Sequence, residues 1–159
     1  MAARLRVLAI AVASGRMGYV FFSGDRLCDW GIARQASKSP KLAEAQARVW
    51  IKRLRPDVVV TEKIDNGSRK GDRTKRVIKA VTKAASAPHI LDVVVPRIRS
   101  FKNKYDEAMA LVDRFPELDT WVPRRRRIWE AEPRTTIYFE ALALALVVID
   151  GDQGQAPTI

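Results

Sequence analysis

The sequence predicts an α/β domain over residues 1–150, in which a five-stranded mixed sheet carries helices on both faces, followed by a flexible tail over 151–159. Three strand-like segments joined by tight turns come first, and such a series forms an antiparallel meander. Two short β-branched segments follow, each preceded by an amphipathic helix. Because strand–helix–strand crossovers are right-handed, these later strands pair most naturally parallel to the first strand.

The predicted meander consists of three segments. The run from 7 to 12 is continuously apolar, which suits a strand buried on both faces. Ser14-Gly15 marks a turn, and the aromatic and β-branched segment from 17 to 22 is the second strand. Ser23-Gly24-Asp25 is a hairpin turn, and the segment from 27 to 33 alternates in side-chain character as a third strand would.

Helices and strands alternate in the middle of the chain. Ser39 and Pro40 are the N-cap and the first position of a helix that ends at Pro56. The β-branched segment from 57 to 61 is the fourth strand, and it ends at Glu62.

The remainder of the chain predicts one more strand and three more helices. Apolar positions between 74 and 85 mark the second helix, and the fifth strand spans 90 to 95. A third helix ends near Pro116, and an irregular stretch runs from 117 to 131. Pro133 opens the last helix, which is apolar on nearly every side and should therefore be deeply buried.

The composition favours a polyanionic partner. Lys and Arg number 29 against 18 Asp and Glu, which gives a formal net charge of +11. Nucleic acid is the first candidate for such a charge, an anionic membrane surface is the second, and a solvated basic surface is the alternative. One cysteine excludes an internal disulfide, and one histidine excludes a histidine-rich zinc site. No run approaches the roughly 20 apolar residues of a membrane-spanning helix.

The N-terminal apolar run, preceded by Arg4 and Arg6, also imitates a short signal peptide. Its cleavage would remove the most clearly predicted strand of the sheet. We therefore expect this segment to stay in the protein.

A motif in the first two strands is similar to one in a known family. The segment Leu8-Ala9-Ile10-Ala11-Val12-Ala13-Ser14-Gly15-Arg16-Met17-Gly18-Tyr19 resembles the first hairpin of RuvC-like Holliday-junction resolvases, which have the ribonuclease H-like fold. In that family the strand reads roughly Gly-Ile-Asp-Pro-Gly-Ser, and Gly-Tyr follows seven residues after the Asp. Counting back from Gly18-Tyr19 puts Ala11 at the position of this Asp, which holds catalytic metal in the family.

Two further acids match the resemblance, which covers roughly residues 5 to 149. Glu62 ends the fourth strand, where RuvC-like enzymes have their second acid; the alternative is a surface glutamate at a strand end. Glu140 precedes Ala-Leu-Ala-Leu-Ala-Leu, and the family's last helix carries Asp-Ala-Leu-Ala-Leu-Ala. A carboxylate among so many apolar residues is costly to bury unless it is paired or bound to metal, so the alternative is an ion pair with an arginine. Ile137 stands where the family often has another acid or a histidine.

The resemblance implies a metal-dependent endonuclease that resolves four-way or otherwise branched DNA in recombination and repair. Two Mg²⁺ or Mn²⁺ ions about 3.5–4 Å apart would activate water and stabilise the leaving oxygen. Glu62 and Glu140 are the implied metal ligands and, with the position of Ala11, the catalytic set. Without the first-strand Asp, cleavage should be slow or absent. Asp65, Asp72 and Glu132 are other acids that could substitute, although their spacing does not require it.

The resemblance also implies partners and a place of action. RuvC-like resolvases are dimers, so we expect a homodimer with exposed apolar residues on the helix that carries Trp50 or on the helix after Glu62. We expect the protein to act in the cytoplasm, at the nucleoid of a prokaryote or in a virus-infected cell, with an organelle as the alternative. The predicted contacts to nucleic acid are basic residues after the fourth and fifth strands: Lys63, Arg69, Lys70, Arg73, Arg97, Arg99, Lys102 and Lys104. The run Arg124 to Arg127, flanked by Trp121 and Trp129, is either a further DNA contact or a solvated face or subunit contact.

Two explanations of Ala11 compete. In the first, the native residue is Asp and the chain is a substituted, catalytically impaired form; the retained Glu62 and Glu140 favour this. In the second, the chain is a natural pseudo-nuclease, a protein with a nuclease fold that binds branched DNA or RNA without cutting it, and Ile137 favours this. A basic packaging factor and a ribonuclease H that acts on RNA–DNA hybrids are the interpretations from other classes.

Overall fold

A computed structural model of the chain describes residues 4–64, 70–96, 104–122 and 135–152. The helices and strands follow one another as β1 (Arg6–Ala13), β2 (Arg16–Ser23), β3 (Arg26–Ala33), α1 (Pro40–Leu54), β4 (Val58–Glu62), α2 (Asp72–Ala84), β5 (Leu91–Val95), α3 (Lys104–Arg114) and α4 (Thr136–Asp152). Short 3₁₀ helices span Ala36–Lys38 and Pro116–Trp121. No helix among these residues is long and apolar enough to cross a membrane.

The five strands form one mixed sheet in the order β3-β2-β1-β4-β5. β1 and β2 are antiparallel, as are β2 and β3, whereas β4 is parallel to both β1 and β5. Gly15 and Gly24 supply the positive φ angles, 74° and 63°, that the two tight turns of the meander require. The predicted five-stranded mixed sheet is confirmed.

Each face of the sheet has its own hydrophobic core, because alternate residues of a strand point to opposite faces. Val7, Ala9 and Ala11 of β1 belong to the cluster formed with α4, α3 and the 3₁₀ helix Pro116–Trp121. Leu8 and Ile10 belong to the cluster formed with α1 and α2. The predicted helices on both faces are therefore present, and β1 is buried on both sides as its apolar run indicated.

Local signals set the boundaries of α1. The Ser39 hydroxyl accepts a hydrogen bond from the Leu42 amide at 3.1 Å, and Pro40 occupies the first helical position. The helix ends at Leu54, and the residue that caps it, Arg55, has a left-handed backbone with a φ of 49°. On the sheet face beneath α1, the Tyr19 hydroxyl donates to Asp29 at 2.8 Å and accepts from Arg53 at 2.5 Å. Burial, and then the bond to Asp29, raise the pKa of Tyr19 to about 12.

The predicted tail begins too early. α4 continues to Asp152, two residues into the segment that we expected to be flexible, and 153–159 lie outside the described residues. The end of the helix is tied to α3, because Arg114 donates to both carboxylate oxygens of Asp150, at 3.0 and 2.7 Å. Part of the stretch predicted to be irregular forms the 3₁₀ helix Pro116–Trp121, and Pro133 lies outside the described residues.

Candidate active site

The pairing of β1 with β4 puts Ala11 and Glu62 on the same face of the sheet. Ala9 pairs with Val60 in the parallel ladder, and Ala11 and Glu62 each lie two residues further along their strands. A shift of two residues keeps a side chain on its face, and neighbouring strands lie roughly 4.8 Å apart. Both positions are buried, Ala11 at 1% exposure and Glu62 at 6%.

Glu140 reaches the same place from α4. This helix packs on the face of the sheet that holds Ala11, and Glu140 itself is 5% exposed. The ammonium of Lys70 lies between the two glutamates, with Nζ 3.2 Å from Oε1 of Glu62 and 3.8 Å from Oε1 of Glu140. The same ammonium donates a hydrogen bond to the carbonyl oxygen of Val12. The structure therefore brings together the two predicted acids and the strand that carries Ala11.

A close approach of α4 to β2 fixes the height of Glu140 above the sheet. Gly18, which pairs with Ala11 across the first hairpin, has no side chain, and a Cβ there would lie 2.6 Å from Cγ2 of Ile137. Ile137 is fully buried and lies one helical turn before Glu140. The Gly-Tyr pair of the sequence motif thus has a packing role, which is to let α4 approach the sheet.

This donor set does not fit a pair of divalent ions. No group of three or more His, Cys, Asp or Glu side chains that could hold a metal ion occurs within 4–64, 70–96, 104–122 and 135–152. The two positions where the resemblance implied further ligands are Ala11 and Ile137, and both belong to the apolar core between the sheet and α4. Two glutamates remain, and Lys70 already lies against both of them.

Asp72 does not complete the site in the described structure, and two other substitutes are not described. Asp72 is the first residue of α2 and lines a neighbouring groove together with Val12 and Gly15. Asp65 and Glu132 lie outside the described residues.

A basic groove of about 910 Å³ lies beside the glutamate pair. Its wall begins at Val12, the residue whose carbonyl binds Lys70, and continues through the first turn to the start of α2. The cationic lining residues are Arg34, Lys38 and Arg73. Ser37, also in the lining, is 7% exposed, and its hydroxyl oxygen has no hydrogen-bond partner among the described residues.

The predicted contacts to nucleic acid have several outcomes. Lys63 is exposed directly after β4, and Arg73 lines the groove and donates a hydrogen bond to the carbonyl of Lys38. Lys70 is the ammonium between the glutamates and is largely buried. The others lie outside the described residues, apart from the backbone of Lys104 at the start of α3: Arg69, Arg97, Arg99, Lys102, Arg124 to Arg127 and Trp129. Trp121 packs edge-on against Tyr138 of α4, with ring centroids 5.8 Å apart, so its ring contacts the fold itself.

Sequence reasoning missed three residues of this region. Arg34, Ser37 and Lys38 flank or form the short 3₁₀ helix between β3 and α1, and no motif marks them. The sequence marks them only as two basic residues on either side of a serine, in the segment between the third strand and the first helix. This pattern indicates a binding groove only once the structure shows that the start of α2 lies across from it.

Solved Holliday-junction resolvases share this fold. Thermus thermophilus RuvC matches with a TM-score of 0.64 at 14% sequence identity, over 96% of this chain and 98% of that chain. The fowlpox virus resolvase, solved in complex with its substrate Holliday junction DNA, matches with a TM-score of 0.64 at 14% identity, over 94% and 99%. The yeast mitochondrial resolvase Ydc2 matches with 0.59 at 12% identity, over 94% and 79%.

No protein-family model and no curated protein matches the chain. The similarity is thus one of structure at low sequence identity. It confirms the predicted resemblance to RuvC-like resolvases for the ribonuclease H-like fold.

Proposed function

We propose that this chain binds four-way and otherwise branched DNA on a resolvase-type nuclease fold, and that with Ala11 it cleaves DNA slowly or not at all. The observation that carries the proposal is the basic groove next to the buried pair of glutamates. A nuclease fold needs such a groove to hold a phosphodiester backbone beside its acids.

The groove suits the backbone of a nucleic-acid strand. Arg34, Lys38 and Arg73 supply positive charge, and the backbone amides at the start of α2 add the partial positive charge of a helix N-terminus. Asp72 is the acidic member of the lining, so the other groups must outweigh it. Contacts of this kind position a backbone without reading its sequence.

To test the groove, the affinity of Arg34→Gln/Lys38→Gln for a four-way junction is measured at several salt concentrations. Each lost cation that binds a phosphate should lower the slope of log affinity against log salt by roughly 1, so the double variant should lower it by roughly 2. The control is Lys52→Gln, which removes one exposed charge near the C-terminal end of α1, roughly 20 Å from the N-terminal end of that helix. If the double variant and the wild type have equal affinity and equal salt slope, the groove does not bind the DNA backbone.

A second candidate function, the natural pseudo-nuclease that binds branched DNA or RNA, has its own supporting observation. A single Asp→Ala substitution accounts for Ala11 alone. It does not account for Ile137, which is fully buried against Gly18, nor for Lys70 between the two glutamates. These additional features favour a site that is built without metal.

Cleavage by Ala11→Asp separates the two candidates. The variant places a third carboxylate on the face of β1 that meets α4, and two Mg²⁺ or Mn²⁺ ions are the cofactors that we propose for such a form. The measurement is a time course of junction cleavage with each ion, with Ala11→Asp/Glu140→Gln as the control. Metal-dependent cutting that is absent in the control supports the impaired endonuclease. Junction binding without any cutting supports the pseudo-nuclease.

We propose a homodimer that acts where cellular or viral DNA is, in the cytoplasm or an organelle. Leu42 and Val49 support the dimer, because they are seven residues apart on α1 and are 49% and 56% exposed. This is the helix that carries Trp50, where the sequence led us to expect exposed apolar residues. Sedimentation of Leu42→Lys/Val49→Lys tests the interface. A dimer that survives this change but dissociates in the α3 variant Met109→Lys would move the interface to α3.

A further inference from the structure

We propose that the Lys70 ammonium is the resident cation of this site, so that a divalent metal ion can bind the glutamate pair only by displacing it. The proposal concerns Lys70, Glu62 and Glu140 and goes beyond the binding of branched DNA. It does not depend on which nucleic acid occupies the groove.

The ammonium of Lys70 is surrounded by protein oxygens in the way that a bound metal ion would be. Oxygens from three separate parts of the fold surround its nitrogen: Oε1 of Glu62 on β4, Oε1 of Glu140 on α4, and the carbonyl oxygen of Val12 on β1. A lysine ammonium carries three donors and no acceptor, so it suits a cluster of oxygens. The lysine side chain is 13% exposed and the two glutamate side chains are 6% and 7% exposed.

Charge explains why a cation is needed at this point. Two carboxylates that share a buried pocket repel each other, and a buried carboxylate without a partner is strongly unfavourable. Ala11 and Ile137 contribute no charge, so Lys70 is the cation that the described structure offers to both glutamates. It therefore holds β1, β4 and α4 together at the site, as a metal ion would in an enzyme with more acids.

Competition follows from the shared oxygens. A divalent ion prefers carboxylate oxygens, and here it would need those that face Lys70. It must approach a positive charge within the same pocket, and like charges in a partly buried site repel strongly. Removing the ammonium should therefore strengthen metal binding, although it weakens the fold in the absence of metal.

Mn²⁺ binding to Lys70→Met, measured by calorimetry without DNA, tests this inference. Methionine keeps the unbranched shape and removes the charge. We expect Lys70→Met to bind Mn²⁺ at least roughly tenfold more tightly than the wild type, and its Tm to rise with Mn²⁺ while that of the wild type does not. Lys70→Met/Glu140→Gln should not show this increase in affinity. Lys83→Met, in which the altered side chain is 77% exposed on α2, is the matched control and should behave as the wild type.

Two results would overturn the proposal. One is equal Mn²⁺ affinity in the wild type and Lys70→Met. The other applies even if Lys70→Met does not fold: equal Mn²⁺ affinity in the wild type and in Lys70→Gln, a second variant that removes the charge and keeps a polar side chain. Because no DNA is present, neither result depends on whether the chain binds junctions.

Discussion

Replacing Gly18 by alanine should disturb the approach of α4 to β2 and destabilise the protein by about 1–3 kcal/mol, the usual cost of overpacking a core. A Cβ at this position would lie 2.6 Å from Cγ2 and 3.2 Å from Cγ1 of Ile137, and 3.2 Å from the carbonyl oxygen of Gly31. Ile137 is fully buried, so it cannot rotate into solvent. Either α4 moves outward or Ile137 takes a strained conformation.

A double-mutant cycle isolates this contact. Ile137→Ala removes both crowded carbons, and alone it should cost about 2–5 kcal/mol because it leaves a cavity. In Gly18→Ala/Ile137→Ala the added methyl group enters that cavity. The double variant should therefore be more stable than the sum of the single effects predicts, by about 1–3 kcal/mol. Urea denaturation of the four proteins gives the four free energies of unfolding.

Gly151→Ala is the control for the glycine-to-alanine change itself. A Cβ at Gly151 meets nothing within 4 Å, and the residue lies in the last turn of α4. Its replacement should leave stability unchanged or raise it by up to about 1 kcal/mol. If Gly18→Ala is as stable as the wild type, or if the two substitutions in the cycle are additive, α4 does not rest on Gly18. The height of Glu140 above the sheet would then need another explanation.

Three other changes test separate parts of the fold. Ser39→Ala should lower the free energy of unfolding by about 1 kcal/mol, because it removes the cap on the Leu42 amide, whereas Ser39→Asp should not. Asp92→Asn should raise the free energy of unfolding at neutral pH by less than about 1 kcal/mol, and with it Tm, because the carboxyl is only partly buried. Burial raises the pKa of Asp92 above 3.8, so ionised Asp92 destabilises the fold; the stabilisation by Asn should be full above the raised pKa and vanish below 3.8. In an alkaline spectrophotometric titration, Tyr19→Phe should lose the contribution of one tyrosine to the absorbance change near pH 12, and an unchanged amplitude there would contradict the raised pKa of Tyr19.

The sheet could be predicted from the sequence because its signals are local. The apolar run of β1 reports burial on both faces, and the turns at Gly15 and Gly24 set the meander. The end of α4 could not be predicted in this way. Gly151 suggested a stop, but α4 continues to Asp152. The bidentate contact from Arg114 to Asp150, which ties the end of the helix to α3, joins residues 36 positions apart.

The two acids of the candidate site could be predicted from the sequence, but the cation between them could not. Glu62 and Glu140 stood out because each acid ends or interrupts an apolar segment, and burial makes such an acid informative. Lys70 did not stand out, since it is one of many basic residues in a polar connection after β4. Its role depends on which oxygens lie within reach after β1, β4 and α4 have packed, and no local pattern encodes that.

Ala11, Ile137 and Lys70 are best understood as parts of one charge arrangement around Glu62 and Glu140. Acids that remain buried in a cluster without its metal ions leave the site with unbalanced negative charge. Here the two positions without acids are filled by apolar side chains that pack in the core, and a lysine pairs with the two acids that remain. The result is a pocket in which two carboxylates share one cation that the protein itself supplies. Placing Asp at position 11 would set a third carboxylate in competition for Lys70. In calorimetry with Mn²⁺, Ala11→Asp combined with Lys70→Met should therefore increase metal affinity more than either change alone.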